Sequence, residues 1–202
     1  MRIIAGKNRG QRLIAPAGRS TRPTSDRIRE SIFNILTHNP SQPSVEGRRV
    51  LDLFAGSGAL GFEALSRGAR SCQFVDTDAE ARAVIRRNAD ALGVTGMCKI
   101  WRRDSTQLGR CVPQAPFDLV FVDPPYNKDL GSAALASLVD GQWLGPHAMI
   151  VLEESAQSIP VVPPQLQLVD AREYGDTKVI FYTADRDWNG GRTIPSNGTH
   201  NR

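Results

Sequence analysis

The chain has 202 residues, 40% of them apolar and 23% charged, with a net charge of +4; this is the make-up of one ordinary globular domain and excludes fibrous, collagen-like or wholly disordered chains. No apolar run reaches the roughly 18 residues of a membrane span, and the N-terminus alternates basic and apolar residues in place of a signal-peptide core, so a cytoplasmic protein without a membrane partner is expected. The charge is uneven: residues 1–29 hold eight of the 25 Lys and Arg and one of the 21 acids, a local +7 that leaves −3 elsewhere and points a polyanionic partner at the N-terminal end.

Arg2–Ala5 and Gln11–Ile14 flank the turn-forming Gly6-Lys7-Asn8-Arg9-Gly10 and read as a hairpin, too short to stand alone. A loop through Pro16, Gly18 and Arg22-Pro23-Thr24 leads to a helix capped by Thr24 or Ser25, with Ile28, Ile32, Ile35 and Leu36 on its apolar face. Asn39–Pro43 ends it. Short apolar runs then alternate with helical stretches, the signature of βαβ units and a parallel sheet. The expected strands are Val50–Phe54, Cys72–Val75, Lys99–Trp101, Leu119–Val122 and Met149–Leu152. Asp78 caps a helix with Ala81, Val84, Ile85, Ala89 and Leu92 on one face, stopped by Gly93. Gln165–Val169 and Lys178–Thr183, around Tyr174-Gly175-Asp176, read as a terminal antiparallel pair, and residues 185–202 as a disordered tail. Cys72, Cys98 and Cys111 form no CxxC and, beside three histidines, indicate core thiols and no metal.

Gly56-Ser57-Gly58-Ala59-Leu60-Gly61 matches GxGxxG after a strand and before a helix, where residues without a β-carbon let the backbone approach a ligand. Asp76 follows Gly56 by 20 positions, at the end of the second strand, where a carboxylate can accept ribose hydroxyls. These features suit a nicotinamide dinucleotide as well as S-adenosylmethionine. Asp52, inside an apolar strand, requires a partner, either a backbone donor or a cationic ligand. A ring of acids suits a sulfonium and an ammonium better than a pyrophosphate. A bulky residue at Gly58 is expected to abolish cofactor binding.

Asp123-Pro124-Pro125-Tyr126 follows the fourth strand. Two prolines stiffen the loop and leave its carbonyls as outward acceptors. Asp123 and the Pro124 carbonyl can accept both N–H bonds of an exocyclic base amine, with Tyr126 stacked on the base. A nicotinamide-dependent oxidoreductase gives no reason for this loop. A DNA adenine methyltransferase would use the same four residues, but no long inserted recognition domain is present.

Phe54-Ala55-Gly56-Ser57-Gly58 and Asp123–Tyr126 resemble class I S-adenosylmethionine-dependent amino-methyltransferases. Arg2-Ile3-Ile4-Ala5-Gly6 with Arg9-Gly10, Arg22–Glu30 and Tyr174–Lys178 are similar to the RsmD family of small-subunit rRNA guanine-N2 methyltransferases, over about residues 1–184. The resemblance implies a Rossmann-like, mostly parallel seven-stranded α/β sheet with an antiparallel C-terminal strand, preceded by the hairpin. It divides the chain into a basic RNA-binding segment (1–24), a methyltransferase domain (25–184) and the tail. It implies S-adenosylmethionine held by Asp52, Phe54, Gly56, Ser57, Gly58, Asp76 (ribose), Thr77, Asp104 (adenine amine) and Ser105, with Arg27 on the cofactor carboxylate. Asp123, Pro124, Pro125 and Tyr126 would hold the target guanine of 16S rRNA, within the small ribosomal subunit. Arg2, Lys7, Arg9, Arg12, Arg19, Arg22 and Arg29 would grip phosphate. A monomer without a metal is implied.

Overall fold

The computed structural model describes residues 1–16, 25–38, 44–125 and 129–185. Its elements are α1 (Asp26–His38), β1 (Arg49–Leu53), α2 (Ala59–Ser66), β2 (Ser71–Val75), α3 (Ala79–Ala91), β3 (Cys98–Trp101), β4 (Phe117–Val122), α4 (Leu130–Asp140), β5 (Leu144–Ser155), β6 (Leu166–Tyr174) and β7 (Thr177–Ala184). The seven strands lie in the order β3-β2-β1-β4-β5-β7-β6, parallel except that β7 runs antiparallel between β5 and β6. β1 to β5 are the expected parallel strands, with β5 longer than Met149–Leu152 at both ends, and β6 and β7 extend the expected terminal pair. The expected tail lies, apart from Asp185, outside the described residues.

Successive strand side chains face opposite ways, and the two faces are covered differently. Val50, Phe74, Leu119 and Phe121 meet α1, α2 and the hairpin in one layer. Leu51, Leu53, Val120 and Val122 meet α4 and Trp143 in the other. Helix α1 is rotated from the expected face: Arg29, Ile32, Phe33 and Leu36 are buried, while Ile28 and Ile35 are half-buried at its flanks. Phe33 draws the helix inward by packing on Phe121, with centroids 5.6 Å apart.

The hairpin is present, held by the Arg2–Arg12 bridge and by Ile3 N–H to Gln11 O (2.9 Å) and Leu13 N–H to Met1 O (3.1 Å). It leans on the domain through buried Ile3 and Leu13. Cys72 and Cys111 are buried and Cys98 half-buried, and burial pushes all three thiols up, Cys98 to about 12. They are core thiols, poor in the thiolate form that reacts. Among the described residues no helix is long and apolar enough to cross a membrane, and no group of three His, Cys, Asp or Glu is placed to hold a metal.

Candidate functional site

Chain order reverses between β1 and β4: from β1 the sheet runs outward to β2 and β3 on one side and to β4 and β5 on the other. Loops at the carboxyl ends of strands flanking such a reversal open a crevice. Leu53 pairs with Val122 and with Val75, and Val75 pairs with Trp101. The segments that follow, 54–58, 76–77, 102–105 and 123–125, therefore leave one edge of the sheet side by side. They carry all the described members of the expected cofactor and base sets except Asp52, which lies within β1, and Arg27.

The strand ends one residue earlier than expected, because Phe54 turns into the left-handed region (φ 56°), as do Gly56 (56°) and Gly58 (77°). A left-handed phenylalanine costs about 1–3 kcal/mol, a strain typical of ligand loops. Around Gly56 a β-carbon would meet nothing nearer than Phe54 O at 3.8 Å, so the backbone there stands open to a ligand. Gly58 differs. A β-carbon on it would lie 2.6 Å from Phe62 Cε2 and 3.0 Å from Phe74 Cε1. Its bareness serves the Phe62–Phe74 contact, so a bulky residue at Gly58 also disturbs the core.

Asp76 is buried, with Oδ2 accepting from Gly56 N–H (2.9 Å) and Oδ1 from Asp78 N–H (2.9 Å). These bonds fix its rotamer and fasten the glycine loop to β2. Arg82, which sequence reasoning missed, donates to the Asp76 carbonyl (2.9 Å) and adds a cation beside it. Thr77 is exposed beyond it. Asp104 is exposed, its Oδ1 accepting from Thr106 N–H (2.8 Å) and Oγ1 (2.7 Å), while Ser105 is buried. Asp123 is half-buried, Pro124 buried and Pro125 exposed; Tyr126 lies outside the described residues.

Asp52 faces α2 and accepts from Gly61 N–H at 3.0 Å, the backbone donor that was one of its two expected partners. Burial pushes its carboxyl up to about 8; the Gly61 bond opposes this and the nearby Asp76 charge reinforces it. An unfolded Asp ionises near 4. Between those values the folded chain holds a proton that the unfolded chain has released, so this group's stabilisation is complete below about pH 4 and is lost as pH rises through about 8. The slope is at most about 1.4 kcal/mol per pH unit. Asp52→Asn is expected to lack this decline; urea unfolding of both proteins from pH 5 to 8 checks it, and parallel curves would reject the assignment.

The hairpin places Arg2, Lys7, Arg9 and Arg12 in solvent. Arg2, Gly10, Arg12 and Asp26 border a depression of about 530 Å³, and Arg27 borders a neighbouring one of about 400 Å³ with Arg9 and Glu30. Arg27 thus stands among hairpin residues. Arg29 requires a correction. Its side chain is wholly buried, donating to Asp26 Oδ1 (3.0 Å) and the Arg2 carbonyl, and it cannot meet phosphate. Arg19 and Arg22 lie outside the described residues.

Three further residues seat the hairpin, all missed from sequence. Buried Glu63 accepts from Ile4 N–H (2.8 Å) and Ala5 N–H (3.1 Å). Ser66 donates to Ala5 O (2.6 Å) and accepts from Asn8 N–H (3.0 Å). Asn88 bonds both backbone groups of Ile14. The signal was available: Glu63 is a charge inside the apolar run 59–65, as Asp52 is in β1, and Asn88 continues the i, i+3, i+4 face of Ala81, Val84 and Ile85.

A family model described as "Conserved hypothetical protein 95" matches residues 1–183. The chain is 38% identical over 185 residues to YlbH of Bacillus subtilis, provisionally named an rRNA methyltransferase, covering 90% of this chain and 98% of that protein. It is 33% identical over 184 residues to "Ribosomal RNA small subunit methyltransferase D" of Haemophilus influenzae, covering 90% and 93%. The solved structure of yhhF from Escherichia coli superposes with a TM-score of 0.77 at 33% identity, over 92% of this chain and 98% of that one.

Proposed function

The chain belongs to the RsmD family, the conserved hypothetical protein 95 group, and from that premise we propose that it is an rRNA methyltransferase that uses S-adenosylmethionine to methylate the exocyclic N2 amine of a guanine in 16S rRNA, as a monomer acting on the small subunit. The observation that carries this reading is the juxtaposition, across the β1–β4 reversal, of the open Gly56 backbone with the Asp123-Pro124 loop. The residues present fit the cofactor: a backbone approach at Gly56, the Asp76 side chain fixed against that loop, and Asp104 beyond the next strand end. When bound, the cofactor supplies an electrophilic methyl on a sulfonium.

The protein's own part is to bind and orient. A guanine N2 is a poor nucleophile because its lone pair is delocalised into the ring. Asp123 and the Pro124 carbonyl accept its two N–H bonds, which turns the lone pair toward the cofactor side of the crevice, and the Asp123 carboxylate stabilises positive charge as it develops on nitrogen. Tyr126 stacks on the base. Arg2, Lys7, Arg9 and Arg12, with Arg27 beside them, hold phosphate.

The direct test incubates the purified chain and labelled S-adenosylmethionine with small subunits that lack the modification, then digests the rRNA for mass spectrometry. N2-methylguanosine is the expected product. Methyl on another base, or none, would overturn the reading. A second expectation concerns the hairpin. Arg9→Glu with Arg12→Glu should weaken RNA association and flatten its salt dependence, each lost contact removing roughly 0.7–0.9 from the log–log slope, with cofactor binding retained. An unchanged slope would make these arginines ordinary surface.

A further inference from the structure

We propose that Asn88 couples the hairpin to the cofactor loop, so that RNA on the first and cofactor on the second strengthen one another's binding; this rests on the functional reading above. Asn88 is 1% exposed on α3, between the two segments. Its Oδ1 accepts from Ile14 N–H (2.9 Å), and its Nδ2 donates both to Ile14 O (3.0 Å) and to Ser57 O (3.0 Å). The carboxamide thus pairs with Ile14 as a neighbouring strand would, and its remaining donor holds the glycine loop. Both N–H groups and the oxygen are used, so the side chain has one satisfied orientation.

The point it grips matters. Ser57 lies between two glycines of positive φ, the most pliable backbone in the site, and its carbonyl direction is defined by whatever bonds it. A second tie reaches the same residue from the hairpin: Ser57 Oγ–H donates to Met1 Sδ at 3.6 Å, while the Met1 carbonyl accepts from Leu13 N–H. The turn of the hairpin is fastened to the end of α3 as well, through Asn8 Nδ2 and Leu92 O at 3.1 Å. Hairpin, α3 and glycine loop therefore share one hydrogen-bonded unit. A ligand that orders the loop orders the hairpin, and linkage requires the effect to be reciprocal. Asn88 touches neither proposed ligand. It is a positioning residue.

The test uses the full chain and S-adenosylhomocysteine as probe. In the wild type, saturating probe should slow hydrogen exchange at the Ile3 and Leu13 amides, which are bonded within the hairpin and lie outside the cofactor set. Small subunits should tighten probe binding about five- to tenfold, within the ordinary range of coupling. Asn88→Ala should lower that ratio toward one and weaken the hairpin response, while probe still slows exchange at the loop. Asn88→Asp keeps the acceptor for Ile14 N–H and removes the donors to both Ile14 O and Ser57 O, so it should weaken the coupling while Glu63 and Ser66 still seat the hairpin. Probe binding without any slowing at Ile3 and Leu13 in the wild type overturns the proposal, whether or not either variant folds. Product analysis separates the two ideas: N2-methylguanosine formed without coupling removes only this inference, whereas absence of both RNA association and methyl transfer removes the functional reading and this inference with it.

Discussion

Asp123→Ala is expected to reduce methyl transfer to small subunits by at least ten- to a hundredfold, with cofactor affinity and thermal stability nearly unchanged. Asp123 is the first residue after β4, half-buried at the edge where the glycine loop emerges from the adjoining strand. In the proposed mechanism its carboxylate acts on the target amine and not on the cofactor. A charge-assisted hydrogen bond is worth about 1.5–3 kcal/mol, and each 1.36 kcal/mol on the barrier is tenfold in rate. The deficit should therefore lie in single-turnover transfer at saturating cofactor, with the binding isotherm for S-adenosylhomocysteine superimposable on the wild type. Tyr126→Ala should also slow transfer, through stacking worth about 1–3 kcal/mol per base, and Tyr126→Phe should be mild. Near-normal transfer by Asp123→Ala would reduce the proline loop to a stiffened turn.

What could be read from the sequence was whatever rests on local pattern. The parallel strands announced themselves as apolar runs because both faces of the sheet are covered, and GxGxxG and Asp76 carry a spacing that the strand-turn-helix geometry imposes. The seven-stranded sheet with its antiparallel C-terminal strand came with the family resemblance, while the order of the strands appeared only in the structure, since no local signal orders strands in space. The errors have one physical origin. Arg29 looks like its exposed neighbours Arg2 and Arg27 in sequence, yet α1 turns it inward, because Phe33 packs on the sheet and Arg29 falls on the same face. Gly58 looks like Gly56, yet the aromatic pair beneath it decides its role. Charge and glycine counts describe a residue; which way it faces is a tertiary matter. Glu63, Ser66 and Asn88 escaped notice for the same reason, each being meaningful only against a segment about 58–74 positions away.

That distance bears on stability most at Glu63, where Glu63→Ala is expected to cost about 3–5 kcal/mol, the range for stranding one member of a buried charge pair. The Glu63 carboxylate is wholly buried and faces Arg67 Nε at 2.7 Å, Arg29 Nε at 3.9 Å and the Ile4 and Ala5 amides. Arg29 is equally buried, and among the described residues neither its Nε nor its Nη1 has a hydrogen-bond partner. Burial pulls this guanidinium below its ordinary range, opposed by Asp26 and Glu63. Removing Glu63 leaves that cation offset mainly by half-exposed Asp26 and orphans two backbone donors. Against a total stability of about 5–15 kcal/mol the loss is large, and for a chain of this size it corresponds to a fall in Tm of roughly 6–20 °C. Pairing Glu63→Ala with Arg29→Met should recover part of it, since the stranded charge goes while the Ile4 and Ala5 amides stay unmet. The same variant should loosen the hairpin, seen as faster exchange at Ile4, and so weaken RNA association although no surface arginine has changed. A loss under about 1 kcal/mol with the Ile4 amide still protected would show that Ile3 and Leu13, packed in the core, seat the hairpin without the carboxylate.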